Sequence, residues 1–156
     1  MGIIPERYNE VFQTRDYFIE GSLTTLNENK AVIGDRLAEL MDLEIDDYII
    51  LLVRTKEDTF NTIDVEIGGI VRTLNPMLNS NIVLLPLELV QQRLNVENSI
   101  SMISLKTAAN QEEVVRDSLH NKIDEHNMPI SVYSWRESAA NVIALSTTKK
   151  SGIGKQ

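Results

Sequence analysis

The chain contains no cysteine, which removes thiol nucleophiles, cysteine-ligated zinc and disulfides from the chemistries open to it and leaves its redox compartment open. It also lacks long apolar runs. The most strongly apolar stretches, residues 48–53 and 82–85, fall far short of the roughly 20 residues that cross a bilayer. The opening MGIIPERYNE has acidic residues and a proline where a secretory signal would place basic residues and an apolar stretch. As written, the chain is expected to be soluble. Basic charge is scarce: Lys and Arg total 15 against 23 Asp and Glu, for a net charge of -8. Such a balance repels nucleic-acid phosphates and anionic membrane surfaces, so no nucleic-acid partner is expected.

What is present suffices for a fold. A length of 156 residues with 42% hydrophobic content fits one domain or two small subdomains with a buried core. No repeat or low-complexity linker divides it, so organisation is read from periodicity. GDRLAELMDL predicts a short amphipathic helix with Leu37, Leu40 and Met41 on one face and Ile33 a turn behind. YIILLVRT is continuous enough for a buried strand, and TIDVEIGGIV alternates as a half-exposed strand, the two forming a hairpin around KEDTFN. Gly68 and Gly69 read as a bulge or tight bend.

Further on, IVLL predicts a strand, with Pro86 in the first turn of a helix that repeats Leu87, Val90 and Leu94. Residues 100–106 predict another strand. Asn110 with Glu113 has capping-box spacing ahead of a helix with Val115, Leu119 and Ile123 on one face, and PISVYSW reads as the strand after it, completing a βαβ-like unit. Ser134 with Glu137 repeats the capping-box spacing before a final helix carrying Ala139, Val142 and Ile143. The expected class is α+β, a mixed small α/β domain.

Reactive constellations are not evident. His120 and His126 are six residues apart, which places them on different sides of a helix, unlike a metal-binding i, i+4 pair. GIGKQ is not a phosphate loop, because Lys149 occupies the first glycine position and Gln156 the hydroxyl position. Asp64 and Glu66 share a strand face and read as a solvated sheet edge rather than paired catalytic acids. No nucleophile elbow occurs. The expectation is a protein that is not an enzyme and uses no cofactor or metal. Tyr133 and Trp135 are expected to pack one-sidedly on the neighbouring helix. The hairpin-tip residues Lys56, Glu57, Asp58, Thr59, Phe60 and Asn61 form the candidate partner contact, because an aromatic residue at such a tip has little core to enter.

Taken in order, GIIPERYNEV, YFIEGSL, AVIGDRLAELMDLEIDDYIILLV, DVEIGGIVRT, NIVLLPLELVQQRL and SVYSWRESAANVIAL resemble the periplasmic, MacB-like core domain of FtsX/LolC/LolE/MacB-type ABC transporter permeases. The series covers nearly all of residues 2–148. LAELMDLEIDDYI is more similar to the lipoprotein-releasing LolC/LolE branch than to MacB. The resemblance implies a noncatalytic domain on the periplasmic face of the bacterial inner membrane, made of a porter subdomain and a small Sabre insert. By position, residues 1–20 match the porter entry, 21–97 the Sabre-like insert and 98–148 the second, βαβ half of the porter, with 149–156 a flexible tail. The first porter half and the membrane helices of the family have no counterpart here. LolC-like members carry a long hook in the hairpin, whereas residues 56–61 are short.

The implied partners are a cytoplasmic ATP-binding subunit acting through the full-length permease, a permease dimer, and a lipoprotein, lipoprotein carrier or efflux adaptor. The implied function is relay of ATP-driven motion to lipoprotein release or substrate export. The alternatives are an FtsX-like interaction module controlling a cell-wall hydrolase and a MacB-type efflux domain.

Overall fold

The computed structural model describes residues 1–27 and 29–137, and it is a small α+β protein. The chain divides into two compact units, Met1–Ser104 and Leu105–Gln156.

The first unit is built on a six-stranded mixed sheet. Its strands are β1 (Gly2–Ile3), β2 (Phe18–Gly21), β3 (Lys30–Gly34), β4 (Tyr48–Arg54), β5 (Phe60–Val71) and β6 (Val83–Pro86), in the order β1-β6-β3-β5-β2 with β4 also on β5. Residues 1–20 thus contribute two strands to the same sheet as residues 21–97. Its helices are α1 (Pro5–Phe12), α2 (Asp35–Met41), α3 (Pro76–Asn79) and α4 (Leu87–Leu94). The hairpin expected from KEDTFN is present: β4 and β5 pair antiparallel from Tyr48↔Glu66 to Arg54↔Phe60.

Two apolar layers cover the two faces of this sheet. Alternation along β3 sends Ala31 and Ile33 to one face and Val32 to the other. Ala31 and Ile33 join Ile49, Ile63, Val65 and Ile67, with Leu37 and Ala38 of α2 and Leu89 and Val90 of α4 packed there. Val32 joins Ile3, Leu23, Leu26, Val71 and Leu84. The bulge expected at the paired glycines is real, and it has a packing purpose. Ala31 lies opposite Ile67 while Val32 lies opposite Gly69, so Gly68 is the extra residue. That insertion shifts the phase of β5, letting Ile70 follow Ile63, Val65 and Ile67 into one core layer while Val71 enters the other.

Several expectations are corrected. β3, at the centre of the sheet, occupies residues read from the sequence only as the lead-in to a helix. Within α2 the inward face is Leu37 and Ala38, and Leu40 and Met41 point to solvent. β4 is not a buried strand: Tyr48, Ile50 and Leu52 are exposed. Pro86 ends β6 as the residue before α4 rather than lying in its first turn.

The second unit contains α5 (Glu112–Glu125), whose Val115, Leu119 and Ile123 side is the less exposed one, as the spacing requires, with Ile123 buried. The Asn110 capping box does not form. Asn110 adopts φ +60, Gln111 is the N-cap, and no side chain caps the helix. The second box does form. Ser134 N donates to Glu137 Oε2 at 2.7 Å and Glu137 N to Ser134 Oγ at 3.4 Å, opening a helical turn at residues 135–137. Ion pairs from Arg116 to Glu137 (3.1 Å) and Arg136 to Glu112 (3.5 Å) tie this turn to α5.

The βαβ unit is not observed. Residues 100–106 and 129–134 carry no strand, because a β-segment persists only where a neighbour satisfies its ladder groups, and no described strand pairs with either. Tyr133 and Trp135 are correspondingly exposed, Trp135 by 66%, and Trp135 meets the Arg136 guanidinium at 5.3 Å instead of packing on a helix. The final helix around Ala139, Val142 and Ile143 and the tail at 149–156 lie outside the described residues.

Candidate functional site

The candidate contact occupies the tip of the β4–β5 hairpin. Its turn closes through Thr55 N donating to Thr59 O at 2.8 Å and Asp58 N to Thr55 O at 3.1 Å, with the Thr55 and Thr59 hydroxyls 2.8 Å apart. Asp58 takes φ +67, a conformation its short polar side chain tolerates, and its carboxylate pairs with Arg54 Nη2 at 2.5 Å.

The C-terminal end of α4 braces this tip. Lys56 N donates to Leu94 O at 3.1 Å, Asn61 Nδ2 to Arg93 O at 3.0 Å, and Asn95 Nδ2 to Glu57 Oε2 at 3.1 Å. The Asn95 amide, the largest influence on Glu57, holds its carboxyl below the usual range. The backbone at the tip is therefore fixed while its aromatic side chain is not covered. Phe60 is 72% exposed at the first position of β5. Lys56, Glu57, Asp58 and Thr59 form the turn beside it, and Asn61 faces α4. The structure gathers all six residues at one end of the hairpin.

The exposed face of the hairpin extends from that tip. Tyr48, Ile50 and Leu52 stand on β4 beside Glu66, Asp64 and Thr62 of β5. At its far end Lys30 bonds Glu66 and reaches Asp46 at 3.3 Å, and the Tyr48 hydroxyl donates to Glu66 Oε2 at 3.0 Å. Lys30 first, and Tyr48 second, push the Glu66 carboxyl below its ordinary range, while the bond to Glu66 pushes Lys30 and Tyr48 up. Asp64 and Glu66 share this face, Glu66 paired with Lys30 and Asp64 exposed to solvent. Sequence reasoning missed the apolar stripe because an uninterrupted run reads as covered on both sides. The stripe's signal lay in the clean alternation of the partner strand.

A second polar feature had no signal in the sequence. Asp35, 6% exposed, accepts from Arg72 Nε at 2.5 Å and from the Arg36 backbone at 2.9 Å. Beside this pair an open cleft is lined by Glu20, Glu39, Asp42 and Glu44. With both carboxylate oxygens occupied, Asp35 fastens the chain just after β5 to the start of α2. Among the described residues no cluster of metal-ligating side chains occurs, and His120 and His126 serve α5: His120 Nε2 lies 3.6 Å from the Asp124 carboxylate and His126 Nδ1 2.8 Å from Lys122 O. No described helix is long and apolar enough to cross a membrane. Compared with known families and curated proteins, the chain matches no family model and no curated sequence.

Proposed function

We propose that this chain is a noncatalytic extracytoplasmic domain of an ABC transporter permease of the FtsX/LolC/LolE/MacB type, relaying ATP-driven motion to lipoprotein release. The observation that carries the reading is the ordered series of motifs from GIIPE near the start to SWRE at residues 134–137. In this role the protein catalyses nothing itself. A separate cytoplasmic subunit hydrolyses ATP, membrane helices of the full permease move, and the domain on the periplasmic face converts that movement into a changed external contact.

The physical requirement is a stiff lever with a surface that binds differently in two positions. The braced hairpin supports that requirement: its backbone is tied to α4, and Phe60 projects from it uncovered. The acidic surface favours a soluble partner with basic patches over anionic headgroups. The bare apolar residues before and after α5, among them Met102, Ile103, Ile130 and Tyr133, support a domain that is covered further within a larger assembly.

A photocrosslinking residue in place of Phe60, exposed to periplasmic extract, tests the partner. Adducts with lipoproteins or their carrier support lipoprotein release. Adducts with a cell-wall hydrolase or an efflux adaptor overturn that branch in favour of the regulatory or export type. A native reading frame that encodes no long apolar helices around this domain overturns the permease role altogether.

A further inference from the structure

The free edge of β4 carries an inference that does not depend on the transport reading. Hydrogen bonds at the two ends of the hairpin fix which backbone groups of β4 point where. Thr55 N bonds Thr59 O, and Ile67 N bonds Asp47 O. In an antiparallel ladder, bonded and non-bonded pairs alternate, so Ile49, Leu51 and Val53 bond β5. Tyr48, Ile50, Leu52 and Arg54 therefore direct their N–H and C=O groups away from it. Among the described residues β5 is the one strand paired with β4. Natural edge strands are blunted by charge, proline or a bulge, and β4 has none of these over its first six residues. The opposite edge of the hairpin is blunted: Asn61 Oδ1 accepts from Thr62 N at 2.9 Å, and Asp64 places a charge there.

The sequence of β4 is self-complementary about Leu51. An antiparallel copy turned about a two-fold axis through that residue sets Tyr48 against Arg54 and Ile50 against Leu52. In both of these pairs the backbone groups are directed outward, as bonded pairs require, and they alternate with the non-bonded pairs at Leu51 and at Ile49 with Val53. On the exposed face the apolar residues meet apolar residues, and each Arg54 approaches the Tyr48 ring of the other copy, with Glu66 one strand further in. The acids Asp64 and Glu66 stay separated from their own copies by both β4 strands.

We propose that β4 is a homodimer interface, joining two copies of this chain edge to edge through antiparallel pairing centred on Leu51. A contact of this size belongs with interfaces smaller than about 1,200 Å², which form transient complexes, so the dimer is expected to dissociate on dilution.

The test uses the full chain, which has no native cysteine. Sedimentation equilibrium should show mass rising toward two chains with concentration, and Ile50→Lys, at a side chain 72% exposed, should restore one chain at every concentration with an unchanged circular dichroism spectrum. Leu51→Cys should oxidise to a disulfide-linked dimer, because residues on a two-fold axis of a non-bonded pair lie about 4.5 Å apart at Cα. Tyr48→Cys should not. Should Leu51→Cys fail to fold, mixing Ile50→Cys with Leu52→Cys, both at exposed positions, gives the same trap between facing residues. A single chain at all concentrations overturns the proposal. So does a dimer that Ile50→Lys leaves intact or that these cysteines fail to trap, a result that would assign association to another surface such as residues 100–105.

Discussion

The two regions of this molecule use similar apolar segments to opposite ends. In the first unit β5 reads Ile63, Val65, Ile67 against polar neighbours, finds β4, β3 and β2 beside it, and buries those residues completely. Residues 100–106 and 129–134 also carry apolar residues in strand-length runs, yet they form no strand and leave Ile103 72% exposed. The difference is in the neighbours. Strand propensity measures how well a side chain fits a pleated, half-buried surface, and a segment with no ladder partner has no such surface to fit. The sheet supplies partners for its own strands; the segments flanking α5 have none among the described residues.

That contrast can be broken most forcefully in the core. Ile67→Ala, at a position with no exposure, should cost about 2–5 kcal/mol in denaturant unfolding. Ile103→Ala should stay within about 0.5 kcal/mol. Equal costs at the two positions would erase the distinction. Gly34→Ala is expected to lose less, about 1–3 kcal/mol by overpacking, since its new Cβ would overlap the backbone of Asn79. Asn79 is itself buried and locked to Thr73 through both amide atoms. An unchanged melting temperature in Gly34→Ala would show that the α3 loop yields more easily than this packing allows.

The smallest expected effect sharpens the description of the hairpin face. The folded-state pKa of Glu66 lies below its ordinary value of 4.5 because Lys30, and then Tyr48, donate to it. Its contribution to stability is therefore present above that ordinary value and is lost as pH falls through the lower folded-state value. Between about pH 5 and pH 3, Glu66→Gln should lose stability less steeply than the native chain. Identical slopes in urea titrations would mean that the cluster contributes nothing measurable, as many solvent-exposed ion pairs do.

These regions also show what the sequence could convey. The α+β class, the hairpin, the bulge at Gly68, α4, and the buried side of α5 at Ile123 follow from periodicity and turn chemistry. β3 does not, because Ala31, Val32 and Ile33 are a three-residue apolar run whose two faces are covered by different layers, and so short a run has no period to read. The inward face of α2 was misjudged for a related reason. Leu40 and Met41 are larger and more apolar than Ala38, so hydrophobicity alone selects them, yet the side of α2 that meets the core carries Leu37 and Ala38. The six residues at the hairpin tip were legible as a group because turn formers around an aromatic residue are a local signal. The exposed stripe of Tyr48, Ile50 and Leu52 is marked only by the alternation of the partner strand β5, and the Asp35–Arg72 pair joins residues distant in sequence, with no local pattern to mark it.

Amide hydrogen exchange on the isolated full chain tests the central claim most directly, because it reports for each segment whether backbone hydrogen bonds are made. The account predicts slow exchange at Ile63, Val65 and Ile67, and exchange near the unstructured rate at Met102, Ile103 and Val132. Protection of those last residues comparable to that of β5, in a sample shown to be monomeric, would contradict it.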